Sequence, residues 1–244
     1  MRIVLQESSD RKNGKINYSS IMEAVEKESK QGDFWILPEA FDTGWNVTKK
    51  TKFPSMENLI FFHQLSQKHK ISVCGSFYVE KDGFFFNRFA VVTKDGKEYF
   101  TEKRHLFGEF EKNFCKIGKE EPFEFQIDDI TFRVAVCYDL RFPVWCRQKN
   151  AKNPFDVLLC VSQWPLVRDF DRNLLLATRA LENVSYTVNC NALGGSKVFF
   201  ADGKEHLYIP DNEQLAFFEL DKEKLTRYRE YKKYLSDADN FQIL

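Results

Sequence analysis

A chain of 244 residues suits one large α/β domain or two small ones, with room for a substantial core. Its 36 basic and 36 acidic residues cancel, so no net field draws it toward nucleic acid or anionic lipid. No stretch approaches the ~20 apolar residues that span a bilayer, and "MRIVLQESSD" turns acidic too soon for a signal peptide.

"RIVLQ" (2–6) reads as a buried strand, and 17–32 as an amphipathic helix with Ile21, Ala24 and Val25 on one face and Gly32 as its C-cap. "DFWILPE" (33–39) is a second strand, stopped by Pro38. A helix near 55–69 and strands at 71–80 and 84–93 follow, joined by Lys-Asp-Gly turns of the kind that close hairpins. In the second half "ITFRVAVC" and "FDVLLCVSQ" are strands, with a short helix at 142–150 between them. A helix over 171–185, the strand "YTVNCNA", a hairpin in "SKVFFADGKE" and a helix near 221–230 complete the pattern. Alternating strands and helices predict one α/β domain over 1–244. Antiparallel pieces at 71–101 and 196–220 argue against a purely parallel sheet and for two sheets back to back with helices outside.

Six cysteines lie at 74, 115, 137, 146, 160 and 190, without CxxC or zinc-ligand spacing. Reduced thiols in a cytoplasmic protein, with no metal or cofactor, are the expectation. Most of the 25 Phe should pack the core, and an aromatic excess also suits an interface.

Three polar residues stand where apolar strands end: Glu39 after "WILP", Lys103 after "EYFTE" and Cys137 after "RVAV". Ligand sites of open α/β sheets lie at such carboxyl ends. A thiol with an ordinary pKa near ~8.5 needs a base or a cation to become a nucleophile, and Glu39 and Lys103 are of those two types. By themselves these residues leave other readings open. Glu39 equally suits the start of a helix, Lys103 a solvated surface, and Cys137 an inert core.

The segments "LPEAFDTGW", "KRHLF" and "VCYDLRFPVW", in that order, resemble the three catalytic signatures of the nitrilase (carbon-nitrogen hydrolase) superfamily, and most of all its omega-amidase group. The resemblance continues through "WP" (164–165), "TRALEN" and "NCNALGGS", and so covers nearly the whole chain. It implies a four-layer α-β-β-α sandwich with Glu39 as general base, Lys103 as oxyanion stabiliser and Cys137 as a nucleophile forming a thioester. It further implies a Tyr138 backbone N–H in the oxyanion hole and a second glutamate, Glu111 or its rival Glu109. A homodimer, with the tail from about 230 to 244 at its interface, is also implied.

Around this trio, an Asp139–Arg141 ion pair is expected to hold the turn after Cys137, with substrate contact as the alternative for these two residues, and Cys146 to be packing. His105 is the alternative partner for the thiol. Phe41 and Trp164 are expected to wall the pocket and Arg168 to receive a substrate carboxylate. With water, that substrate would be a small monoamide of a dicarboxylic acid, such as 2-oxoglutaramate or succinamate. Another specificity within the superfamily (carbamoylase or nitrilase) and a non-catalytic reactive thiol are the alternatives. Two departures from the pattern are a short loop at 191–197 and Gln163 before Trp164, where the pattern has Asn.

Overall fold

Strand β1 (Arg2–Gln6) runs parallel to β2 (Phe34–Ile36), and β2 parallel to β3 (Ser72–Lys81). Parallel neighbours need crossovers, which helices α1 (Tyr18–Glu28) and α2 (Ser55–His69) supply. Beyond the Asp82-Gly83 turn, β4 (Phe84–Val92) and β5 (Glu98–Glu102) add antiparallel, and β12 (Leu215–Glu219) closes the other edge against β1. The second sheet repeats the plan. Its parallel centre is β7 (Ile130–Val136), β8 (Val157–Ser162) and β9 (Tyr186–Asn191), and its edges are β6 (Glu124–Ile127) on one side and β10 (Lys197–Phe199) with β11 (Glu205–Tyr208) on the other. This computed structural model describes residues 1–45, 47, 51, 53–149, 152–210 and 213–238.

Alternation along the strands sorts the side chains into layers. Ile3, Leu5, Phe34, Ile36 and Val91 on one sheet face Phe132, Val134, Leu159 and Val188 on the other. Phe34, Phe125 and Phe132 pack with ring centroids 5.1–6.1 Å apart, so part of the phenylalanine excess fills this inter-sheet space. The opposite face of the first sheet (Val4, Trp35, Val73) rests on Ile21, Val25 and Phe62 of the helices. That of the second (Ala135, Leu158, Cys160) rests on Leu176 and Ala180 of α5 (Asp169–Asn183). The result is the expected four-layer α-β-β-α sandwich.

Local details differ from expectation. Helix α1 ends at Ser29, because the Asp33 carboxylate takes the Lys30 N–H at 2.7 Å; Gly32 lies beyond the helix in a turn with φ +89°. The helix expected over 142–150 shrinks to α4 (Pro143–Cys146), where the Gln148 N–H is drawn to Asn183 Oδ1 at 2.7 Å. Helix α3 (Gly108–Phe114) and the short strand β6 were not anticipated, and both carry too few apolar residues to show a period. After α6 (Lys222–Lys232), Leu235 packs into the chain's own inter-sheet core; residues 239–244 of the tail lie outside the described residues. Among the described residues, no helix is long and apolar enough to cross a membrane.

Candidate active site

Three strand ends converge on one cavity. After β2 the backbone follows β3 through Leu37 and Pro38, and Glu39 is succeeded by Ala40 in the left-handed region at φ +45°. After β5, the Lys103 N–H donates to the Asn87 carbonyl at 2.8 Å, and its carbonyl accepts from Gly118 N–H at 2.9 Å. Only glycine permits that approach, since a Cβ at 118 would stand 2.1 Å from the Glu102 carbonyl oxygen. After β7, Cys137 adopts φ +48° and opens a 3-10 turn over Cys137–Arg141. A non-glycine residue in this region costs on the order of 1–3 kcal/mol, held here by the packed sheet beneath. The sharp bend lifts Sγ off the strand's end into the cavity, where the residue is partly exposed.

Glu39, Lys103 and Glu111 are buried together. The Lys103 ammonium donates to Glu39 Oε1 at 2.9 Å and to Glu111 Oε2 at 2.8 Å. Glu111 projects from α3 and also accepts the Phe107 N–H at 2.7 Å, whereas Glu109 is exposed. Glu39 Oε2 accepts the Gln163 backbone N–H at 3.0 Å. The Gln163 side chain reaches the Glu39 carbonyl at 2.8 Å, so the longer side chain at this position fastens the end of the glutamate's strand.

Burial alone would drive Lys103 toward neutrality, yet Glu39 and Glu111 outweigh it and hold the ammonium's pKa well above its ordinary value. Removal from water, and then the Glu39 charge, push the Cys137 thiol well above its ordinary range, with Lys103 acting in the opposite sense. The resting site is therefore a neutral thiol beside a carboxylate and an ammonium. Such an arrangement can transfer a proton as the sulfur attacks, and can stabilise an oxyanion.

The expected Asp139–Arg141 pair does not form. Asp139 Oδ1 accepts the His105 backbone N–H at 2.8 Å and meets the ring Nδ1 at 2.7 Å, while Oδ2 accepts the Val136 N–H at 2.9 Å. Its neighbours in the tight turn are backbone donors, and the Arg141 guanidinium turns instead to Asp171 at 2.8 Å and lies 4.8 Å over the Trp164 ring, lining the cavity beside it. His105, bound to Asp139 and stacked on Phe142 at 3.6 Å, is a component of the turn. Cys146 is buried in the core beneath.

The cavity, of about 80 Å³, has Glu39, Lys103 and Cys137 at its base and mostly apolar walls. Trp164 lines it and Phe41 does not: that ring is buried against Phe62 and Phe77 on the far side of the first sheet. The chain turns through Ala40 at φ +45°, so Phe41 leaves the side on which Glu39 lies. Trp45, Phe107, Tyr138 and Leu193 form the walls instead. Leu193 sits on the short 191–197 loop, whose Gly195 carbonyl is gripped by the buried Arg172 at 2.8 Å and whose Gly194 carbonyl is gripped by Asn191 at 2.7 Å. Arg168 lines the mouth 5.0 Å over the Phe107 ring, with no ion-pair partner among the described residues. Asn87 touches both glutamates, and its only signal in the sequence is a polar pair with Arg88 inside the largely apolar "FFFNRFAVV". Among the described residues, no group of three or more His, Cys, Asp or Glu side chains is placed to hold a metal ion.

The carbon-nitrogen hydrolase family model matches residues 11–230. The chain is 32% identical to a 2-oxoglutaramate amidase of Bacillus subtilis over 70% of this chain and 68% of that protein. It is 30% identical to the omega-amidase YafV of Yersinia enterocolitica over 93% of this chain and 91% of that one. Among solved structures it resembles a CN-hydrolase superfamily protein of Xanthomonas campestris carrying an arsenic adduct in its active site. That likeness has a TM-score of 0.88 and 26% identity, covering 100% of this chain and 99% of the other. Yeast Nit3, of the nitrilase superfamily, shares the fold at a TM-score of 0.77 and 22% identity, covering 95% and 94%.

Proposed function

The chain belongs to the carbon-nitrogen hydrolase family, and from that premise we propose that it hydrolyses monoamides of small dicarboxylic acids through a thioester on Cys137. One observation carries this reading: a thiol, a carboxylate and an ammonium share the base of a cavity whose mouth holds Arg168 without an ion-pair partner among the described residues. The names of the relatives, 2-oxoglutaramate amidase and omega-amidase, support the same substrate class.

In the first half-reaction Cys137 Sγ attacks the amide carbon while Glu39 accepts the thiol proton. The negative charge that develops on the amide oxygen is met by the Lys103 ammonium and the Tyr138 backbone N–H. Collapse of the tetrahedral intermediate breaks the C–N bond, and Glu39 returns the proton so that ammonia leaves. A water then gives its proton to Glu39 and attacks the thioester; the acid departs and the proton returns to sulfur. Arg168 holds the distal carboxylate, and the apolar walls fit the short methylene chain between the two ends.

We also infer a homodimer built on α5. Val167, Phe170, Leu174 and Leu181 are 91%, 78%, 59% and 47% exposed along or just before this helix, an apolar stripe that water disfavours. The six free thiols support a cytoplasmic setting. The test of the activity is ammonia release from 2-oxoglutaramate, succinamate and neutral amides, with mass analysis of the trapped acyl-enzyme and Cys137→Ala as control. Absence of turnover and of any adduct would overturn the proposal.

A further inference from the structure

Four atoms close a ring behind the thiol. Asn87 Nδ2 donates to Glu39 Oε1 at 2.9 Å and to Glu111 Oε1 at 3.1 Å. Lys103 Nζ donates to the same two oxygens, also at 2.9 and 3.1 Å. The two carboxylate oxygens thus face each other across the ring, bridged on one side by an ammonium and on the other by a neutral amide. All four residues are buried, with Asn87 at 0% exposure, so the repulsion between the carboxylates is poorly screened by water.

The orientation of the amide is set from behind. Ser76 Oγ donates to Asn87 Oδ1 at 2.9 Å, and itself accepts the Ala40 N–H at 3.1 Å. A hydroxyl with its one proton committed to Oδ1 leaves the NH₂ group facing the carboxylates. The relay starts at the residue after Glu39, the one strained to φ +45°, and returns to Glu39 itself. Asn87 pairs with Tyr78, and Ser76 lies two residues back along β3 on the same face of the sheet, the diagonal relation by which two short side chains meet.

We propose that Asn87 is a positioning residue for Glu39, oriented by Ser76: it holds the glutamate's carboxyl group in place and aimed at the reaction centre without supplying a second positive charge. A second lysine there would compete for the carboxylate and lower its basicity; an apolar residue would leave two facing carboxylates with a single bridge. The amide supplies the second bridge at no cost in charge. This inference rests on the role given to Glu39 above.

The test uses p-nitrophenyl acetate, an activated ester that acylates a competent thiol whatever the natural amide. The burst of p-nitrophenol counts competent sites. The steady-state rate that follows reads deacylation, in which Glu39 takes the proton of water. Asn87→Leu should keep a burst, lose about a hundredfold in steady-state rate per competent site, and shift the acidic limb of the rate profile to higher pH. The shift follows because a donor favouring the charged carboxylate has been removed; the limb belongs to the coupled cluster as a whole. Ser76→Ala should move the rate and the limb in the same direction by less. A merely structural role would reduce the burst and leave the limb in place. An unmoved limb in Asn87→Leu with normal burst overturns the proposal, as does an unmoved limb in Ser76→Ala where Asn87→Leu fails to fold. Failure of the substrate reading is seen separately, as a wild-type protein that deacylates the ester yet releases no ammonia from any amide.

Discussion

Asp139 Oδ1 holds His105 twice, by its backbone N–H at 2.8 Å and its ring Nδ1 at 2.7 Å. That one carboxylate ties the segment leaving Lys103 to the turn that presents Cys137, because its other oxygen caps Val136 N–H at 2.9 Å. The position of the cation relative to the sulfur is thus set across two sheets. Asp139→Ala leaves the buried Val136 N–H unpaired, at about 1–3 kcal/mol, and frees the half-buried His105 N–H. The urea midpoint should fall and kcat should fall more than KM rises. A variant with wild-type midpoint and kcat would refute this coupling.

The thiol is pushed up by burial and then by the Glu39 charge, while Lys103 pulls it down. Removing the anion removes one raising cause and leaves the lowering one. Glu39→Gln should therefore carry more thiolate at neutral pH and react faster with iodoacetamide. Hydrolysis should nonetheless drop by about 10²–10⁴, since no group remains to shuttle the proton. Slower alkylation in the variant would contradict the electrostatic account of the site.

Arg168 lies on the Phe107 ring with no carboxylate partner among the described residues. Arg168→Ala should raise KM for succinamate by about tenfold or more, the scale of a hydrogen bond to a charged group. Neutral amides of the same length should be unaffected. An unchanged KM for succinamate would remove the carboxylate clamp from the mechanism.

The exposed side chains of α5 give a test of assembly. Phe170→Glu combined with Leu174→Glu places two like charges in the stripe, where they would lie in a dry contact. Analytical ultracentrifugation should find a dimer for the wild type and a monomer for the double variant. A monomeric wild type would show that something else covers this face.

Asp42, in the loop after Glu39, is buried with one oxygen on Asn58 Nδ2 at 2.8 Å and the other without a hydrogen-bond partner among the described residues. Burial raises its pKa above the ordinary 3.8, with the Asn58 amide opposing. A raised carboxylate binds its proton more tightly in the folded state, so its contribution to stability is intact below 3.8 and is lost as pH rises through the folded value. Asp42→Asn should be more stable than wild type at neutral pH, and the difference in urea midpoint should narrow as pH falls toward 3.8. A difference independent of pH would show that Asp42 does not titrate in this way.

The strands β2 and β8 are legible because burial on both faces writes itself as continuous apolar runs, and Glu39, Lys103 and Cys137 stand out as polar residues at strand ends, with the motif resemblance singling them out. These are local signals, carried by residues one to four positions apart. Which polar groups meet across the site is not local. Glu111 rather than Glu109 reaches Lys103 because α3 turns that face inward, and Asp139 finds His105 rather than its near neighbour Arg141 because the 3-10 turn aims its carboxylate back at the first sheet. Phe41, expected in the pocket wall, lies instead against Phe77 beyond the turn at Ala40, and Asn87 meets Ser76 only because β3 and β4 pair. The sequence by itself determined the layers, the strand ends and the three polar side chains that stand at them. Only the tertiary structure decided their partners, because a hydrogen bond depends on two side chains' directions, and those are set by packing between segments that no short sequence window contains.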